Sequence, residues 1–383
     1  MQYRQDTQNR GRFMETDNLQ PEHHEVIGQL ASCPATSFHE YLVSDKIKNI
    51  LVKSEIEFIE DRYGNIVARV DGRGSDSKSI AFVAHMDHPG FEVNRTHSGK
   101  IIASALGGVP VAVFYRETTP AFSFDRNGVR LPCELLPFGP PEKREVEVVS
   151  DHDLPKETPI VFDLPDIDIH DQQINMRALD DIAGCASIIS AIQEIKKNPS
   201  DTDVYAIFTR AEEVGLIGAK LLSQSDLIPG DTIMVSVETS SVIPGVAQGN
   251  GPIIRTGDAS YTFDAEAEQV IIRARDSIRK NQSDFVSQRH LMSAGSCEAS
   301  AFAANGFKST GIAFPLGNWH NATTSIQDPS GSIAVEYISL MDYINGIKLI
   351  EISARSVSSV SESLNRRLRH VPDDYRMRLN VEG

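Results

Sequence analysis

Four short runs along the chain are apolar at nearly every position: residues 79–84 (SIAFVA), 204–209 (VYAIFT), 232–237 (TIMVSV) and 309–314 (STGIAF). Each has the length of a strand. Apolar side chains on both faces are what a parallel sheet covered on both sides requires. Between these runs the spacing turns helical. Residues 181–196 carry apolar positions at helical intervals and stop at a Lys-Lys-Asn-Pro sequence, while 214–222 and 298–304 read as shorter helices. Residues 332–352 read as one long amphipathic helix, 21–52 as helical, and 58–70 as a hairpin turning at Tyr63-Gly64-Asn65. Strands alternating with helices predict an α/β fold, a three-layer sandwich with a mostly parallel central sheet.

Residues 89–176 break this rhythm. They show no helical period, only β-type runs at 112–115, 145–149 and 158–162, separated by turns such as Phe138-Gly139-Pro140-Pro141. The stretch reads as a small all-β domain inserted into an α/β domain built from 21–88 and 177–355. A polar segment, 1–20, and a tail, 356–383, flank the whole. The apolar residues of 112–115 are more than a small domain is expected to bury, which points to a subunit contact.

Composition narrows the function classes. The formal net charge of −16 argues against a nucleic-acid partner, since binding phosphates needs a basic surface. Neither an apolar leader nor an apolar run long enough for a membrane span is visible, so a cytoplasmic location is the expectation. The four cysteines, Cys33, Cys133, Cys185 and Cys297, form no CxxC pair and read as small buried hydrophobes.

Each apolar run delivers an ionisable residue just past its C-terminal end. The first delivers His85, the second Glu212 and Glu213, the third Glu238, and the fourth leads through Pro315-Leu316-Gly317 to His320. Open α/β sheets bind ligands beyond the carboxyl ends of their strands. Imidazoles and carboxylates converging there suit divalent metal ions. In His85-Met86-Asp87 the two polar side chains point the same way along an extended segment, so Asp87 is placed to hold the imidazole from its far nitrogen. Asp180-Asp181 opens a helix; Asp180 is the better candidate to bridge two cations and Asp181 the better cap. In Glu212-Glu213-Val214-Gly215 one carboxylate can ligate metal while its neighbour accepts a proton.

Taken in order, the motifs Ala84-His85-Met86-Asp87-His88-Pro89-Gly90-Phe91, Ala178-Leu179-Asp180-Asp181, Glu212-Glu213-Val214-Gly215, Gly251-Pro252-Ile253 and His320 resemble the co-catalytic metallopeptidases. The resemblance is to the tetrahedral, glutamyl and deblocking aminopeptidases, some of which carry the name endoglucanase, and it runs from about Pro21 to Ile352. The 95 positions from His85 to Asp180 match the branch that inserts a β-domain there. The resemblance implies that His85, Asp180 and Glu238 hold one metal and that Asp180, Glu213 and His320 hold the other. It makes Glu212 the general base, with Asp87 supporting catalysis. It further implies two divalent ions per chain (zinc by default, with cobalt or manganese as substitutes), short peptides as substrates, and a homo-oligomer that is a dimer or a twelve-subunit tetrahedral shell.

The chain departs from the family pattern in three places. Ile182 follows the Asp-Asp pair where Arg is common, His88-Pro89 replaces Glu-Val, and Ser296-Cys297-Glu298-Ala299 replaces Gly-Thr-Asp-Ala. The expected activity is removal of N-terminal residues from short peptides. The competing readings are a deacylase or carboxypeptidase of the same superfamily, or a non-catalytic metal-binding scaffold; the intact Glu212 speaks against the scaffold.

Overall fold

A computed structural model of the chain describes residues 21–74, 78–357 and 368–381. The segment 1–20 and much of the tail 356–383 lie outside the described residues. The four apolar runs lie side by side. Val204–Thr209, Ile80–His85, Ile233–Ser241 and Lys308–Leu316 are adjacent and parallel, so their C-terminal ends share one edge. They form the middle of an eight-stranded sheet. Ile66–Val70 and Glu57–Glu60 continue it antiparallel on one side. On the other side Ile253–Gly257 runs antiparallel to Lys308–Leu316, and Gln288–Leu291 pairs parallel with it. The sheet is therefore mixed rather than mostly parallel outside its centre.

Alternation along the central strands explains why nearly every position of the four runs is apolar. Ile80, Phe82 and Ala84 pack into one core with Val204, Ala206, Phe208, Val235 and Phe314. Ala81, Val83, Tyr205, Ile207 and Met234 pack into another on the opposite face. The helices Ile182–Lys197 and Leu340–Ala354 cover the first face, and Ile217–Leu222 with Glu298–Ala304 cover the second. The helix Ile182–Lys197 begins where expected. Asp181 caps it, accepting the Gly184 N–H at 3.0 Å. Gly184 is required by close packing, since a Cβ there would sit 2.5 Å from the Val237 carbonyl oxygen.

Gly90–His97, Lys100–Leu106, Glu145–Val149, Arg130–Pro137, Thr119–Phe124 and Pro159–Phe162 close into a barrel. Phe91, Val93, Ala103, Leu135, Val146 and Ile160 fill its interior. Below it, Ile167–His170, Gln173–Met176 and Glu336–Ser339 make a three-stranded sheet. Among the described residues no helix is long and apolar enough to cross a membrane.

Four expectations need correction. Residues 112–114 belong to a 3₁₀ turn, Val111–Phe114, which Tyr115 follows, not to a strand, and Ala112, Val113 and Phe114 are buried. Only Tyr115 is exposed, so the run gives little motive for a subunit contact. The span 332–352 is not one helix. Glu336-Tyr337-Ile338-Ser339 alternates as a strand, and Ser339 also caps a helix that starts at Leu340. The helical stretch 21–52 is two helices, Pro21–Ala31 and Tyr41–Lys53, parted at Pro34 and by Phe38 in a left-handed conformation at φ 74°. The helix expected at 214–222 starts only at Ile217, because Gly215 and Leu216 both have positive φ.

Candidate active site

The shared edge of the central strands gathers the expected residues. His85 ends its strand, Glu238 sits in Ile233–Ser241, Glu212 and Glu213 follow Thr209, and His320 lies in a turn after Lys308–Leu316. Asp180 enters from the loop ahead of the helix capped by Asp181. Asp180 is central: its Oδ1 lies 3.3 Å from His85 Nε2 and its Oδ2 lies 3.5 Å from His320 Nε2. Glu213 Oε1 is 3.3 Å from His320 Nε2, and Glu238 Oε2 is 3.9 Å from His85 Nε2. Glu212 Oε2 stands 3.8 Å from the same His85 nitrogen.

Three triplets bring ligand atoms within 4.8 Å of one another: Asp180, Glu213 and His320; His85, Asp181 and Glu238; and His85, Glu212 and Glu213. The first is the set expected for one ion. In the second, Asp181 stands where Asp180 was expected, although Asp181 already spends Oδ1 on its helix cap. The third admits Glu212 as a ligand, an arrangement at odds with its expected role as base.

Both imidazoles are oriented from behind. His85 Nδ1 lies 3.0 Å from the Asp87 carbonyl oxygen, and His320 Nδ1 lies 3.0 Å from the Gly108 carbonyl oxygen. With Nδ1–H donating to those carbonyls, each Nε2 is left as a lone pair facing the carboxylates. The Asp87 carboxylate does more than expected. Its Oδ1 stands 3.6 Å from His85 Nδ1, and the carboxylate also accepts Ser37 Oγ–H at 2.6 Å, Glu212 N–H at 2.9 Å and Glu213 N–H at 3.2 Å. It thereby holds the Glu212–Glu213 turn as well. Glu40 assists, accepting the Ala211 N–H at 2.9 Å and pairing with Arg210 Nε at 2.7 Å.

A second buried carboxylate, Glu336, accepts the N–H groups of Leu179, Asp180 and His320 at 2.7, 3.0 and 2.8 Å. It ties the Asp180 and His320 segments to one point, and burial pushes its pKa up to about 7. His88 adds a parallel link, with Nδ1 2.5 Å from the Asp180 carbonyl oxygen and Nε2 3.1 Å from Asn321 Oδ1. Glu298 is fully buried, accepting hydrogen bonds from Thr209 and Ser236 at 3.2 and 3.1 Å. Trp319 packs on His320, ring centroids 4.0 Å apart, and its Nε1–H donates to Asp180 Oδ2 at 3.0 Å. Sequence reasoning missed Glu336, Trp319, Gly108 and the acceptor role of Asp87. Only the placement of Trp319 beside His320 was a visible signal.

The electrostatics call for cations. Asp180, Asp181, Glu212, Glu213, Glu238 and Glu298 crowd around two imidazoles. Burial raises the pKa values of Glu212, Glu238 and Asp181 well above the usual carboxylate range, and neighbouring acids add to it. Burial acts against charge on His85 and His320, yet the acids around them outweigh it and raise both. Burial acts against the Asp180 charge as well, but His320 and His85 hold it far below its ordinary value. Asp180 Oδ1, Asp181 Oδ2 and Glu213 Oε1 are buried without a hydrogen-bond partner among the described residues. Buried carboxylate oxygens left unpaired are costly. A divalent ion coordinated there satisfies them, so the residues fit a metal site.

Comparison with known proteins gives this arrangement a class. The M42 glutamyl aminopeptidase family matches residues 145–333. A candidate aminopeptidase of Acetivibrio thermocellus is 26% identical over 335 residues, covering 80% of this chain and 92% of its own. The TET1 peptidase of Pyrococcus horikoshii, described as assembling into a tetrahedron or a large octahedral shell, superposes with a TM-score of 0.72 at 21% identity, over 87% of this chain and 99% of that one. A TET aminopeptidase from the marine sediment archaeon Thaumarchaeota gives 0.73 at 21%, over 89% and 99%. The chain is a hydrolase of peptide bonds. Its likeness is to the M42 family of aminopeptidases, a metal-dependent group, in keeping with its histidine and carboxylate cluster.

Proposed function

We propose that the chain removes N-terminal residues from short peptides, using two divalent ions, zinc by default, and Glu212 as general base. The observation that carries this reading is the division of Asp180, with one oxygen towards His85 and the other towards His320. His85, Asp180 and Glu238 would hold one ion, and Asp180, Glu213 and His320 the other. Asp180 is preferred to Asp181 as the bridge because Asp181 is committed to its helix. Bound ions of this kind polarise a peptide carbonyl and make water acidic. Glu212 then accepts the water's proton and returns it to the departing amine. Its backbone N–H is fixed by the Asp87 carboxylate, which aims the turn that carries it.

Arg255 sets the N-terminal residue in this reading. It is buried in the wall of a cavity of about 540 Å³ that His85, Asp180, Glu213 and His320 also line, with its Nε unpartnered among the described residues. A cation there favours an acidic side chain, in line with the glutamyl aminopeptidases. We further read residues 21–88 and 177–355 as the catalytic unit and 89–176 as an insert that supports a dimer or twelve-subunit assembly. Light scattering tests that part; an active strict monomer contradicts it.

The test of activity is an assay of zinc-reconstituted protein on aminoacyl, N-acyl and C-terminal peptide substrates. Cleavage of aminoacyl substrates, best with Glu or Asp first, is expected, and Arg255→Met should erase the acidic preference. Cleavage of N-acyl or C-terminal substrates alone would favour the deacylase or carboxypeptidase reading.

A further inference from the structure

Across Trp319 from the candidate metal centre lies a second cavity of about 640 Å³. Its wall includes Val242, Val246, Thr324, Ile326 and Tyr337, and every residue lining it is uncharged. The metal-side cavity, by contrast, holds His85, Asp180, Glu213, Arg255 and Lys220. Trp319 and Ser241 line both cavities, so the two are neighbours with a common partition. The partition is fixed on its inner side: the indole N–H is held by Asp180 Oδ2 and the ring lies on His320. A peptide carbonyl presented to Asp180 and His320 would therefore have one flank in the charged cavity and the other against the indole.

We propose that the second cavity is the subsite for substrate residues beyond the scissile bond, and that it takes uncharged side chains, the residue following the bond packing on Trp319. This rests on the aminopeptidase reading above and deepens it. Size supports it, because both cavities fall in the range that binds small ligands and short peptides. Chemistry supports it too, because the wall offers apolar carbons, hydroxyls and amides but no counter-charge for a charged side chain. Aromatic rings also offer large contact area with little conformational freedom to lose.

Trp319 is the single tryptophan of the chain, so its emission reports on this partition alone. The test uses the full-length, zinc-loaded protein in two arms. In the first, zinc-loaded Glu212→Gln is titrated with free glutamate and with Glu-Ala-Ala. Because Trp319 borders both cavities, emission should shift with the tripeptide well beyond any shift with the amino acid; equal responses, or none to the tripeptide, overturn the proposal. In the second, kcat/KM is compared within each protein for tripeptides with Ala, Asp or Lys second. Wild type should prefer Ala by about tenfold or more. Val242→Lys should shift the Asp-to-Lys ratio towards Asp by a similar factor; an unchanged ratio counts against the subsite. An aminoacyl anilide, which lacks a second residue, separates the two claims. If it and all peptides stay uncleaved, the aminopeptidase reading fails, and the emission arm still decides the subsite.

Discussion

Gly108→Ala is the substitution by which the barrel should disturb the catalytic edge most cleanly. Gly108 lies on the loop that leaves the barrel strand Lys100–Leu106, and its carbonyl oxygen accepts the His320 Nδ1–H at 3.0 Å. Its φ is not in the left-handed region, so alanine meets no backbone penalty there. Space is the whole difficulty. A Cβ would stand 2.2 Å from His320 Nδ1 and 2.4 Å from Cε1, where ordinary contact begins at 3.4 Å. The loop cannot simply back away, since Arg144 holds the adjacent Gly107 carbonyl at 2.6 Å and Gly107 itself lies against Glu213. The ring must therefore give way by roughly 1 Å, far outside the ~0.2 Å tolerance of a metal–ligand distance. Metal held by Asp180, Glu213 and His320 should weaken by about 10–100-fold, and turnover should fall by about 10²-fold. Stepwise zinc titration against a chromophoric chelator should show one of two sites lost, with circular dichroism unchanged. Two sites of undiminished affinity would refute the inference that the barrel loop sets the position of His320.

Glu212→Gln should keep its metal and lose about 10²–10⁴-fold in kcat, read by paired metal analysis and single-turnover kinetics; retained turnover would pass the base role to another group. Glu336→Ala strips the acceptor from three buried N–H groups, so it should lower the thermal midpoint and cost about 1.5–3 kcal/mol per charged hydrogen bond at most; a midpoint within error of wild type contradicts the tether. Glu266 sits between Lys78 and Lys308, whose contacts hold its pKa down to about 2. A folded pKa below the ordinary 4.5 means the stabilisation is complete above about pH 4.5 and is lost as the pH falls towards 2. The three side chains are a third to a half exposed, so solvent screening keeps the effect below about 1 kcal/mol. Urea midpoints of Glu266→Gln and wild type should differ at pH 6 and converge near pH 2; a constant difference argues against the ion triplet.

The centre of the fold was readable because burial on both faces leaves a strand few polar positions, and the runs 79–84, 204–209, 232–237 and 309–314 lie in those strands. Their ends were readable for the same reason: a His or Glu that closes an apolar run stands out. Short apolar runs without context carry no period, and 112–114 became part of a 3₁₀ turn packed into the barrel. The 332–352 span misled because its apolar spacing continues through the strand Glu336–Ser339 into the helix. The helix Ala265–Asn281 was legible in principle, with Asp264 as its cap and Ala267, Val270, Ile271, Ala274 and Ile278 on its buried face. Its many charges mask that stripe. The tethers could not be read at all. Glu336 acts on backbone N–H groups as far as 157 positions away, and backbone donors leave no mark in a sequence. Asp87 was read as a partner of its neighbour His85 alone, and its carboxylate also reaches Glu212 and Glu213, over 120 positions on.

The central claim is that Asp180 joins two metal ions. Anomalous diffraction at the zinc edge, on crystals of the metal-reconstituted protein, addresses it directly. The account predicts two peaks about 3.5–4 Å apart, one among His85, Asp180 and Glu238 and one among Asp180, Glu213 and His320, with Glu212 bound to neither. A single peak, or one held by His85, Glu212 and Glu213, would contradict it.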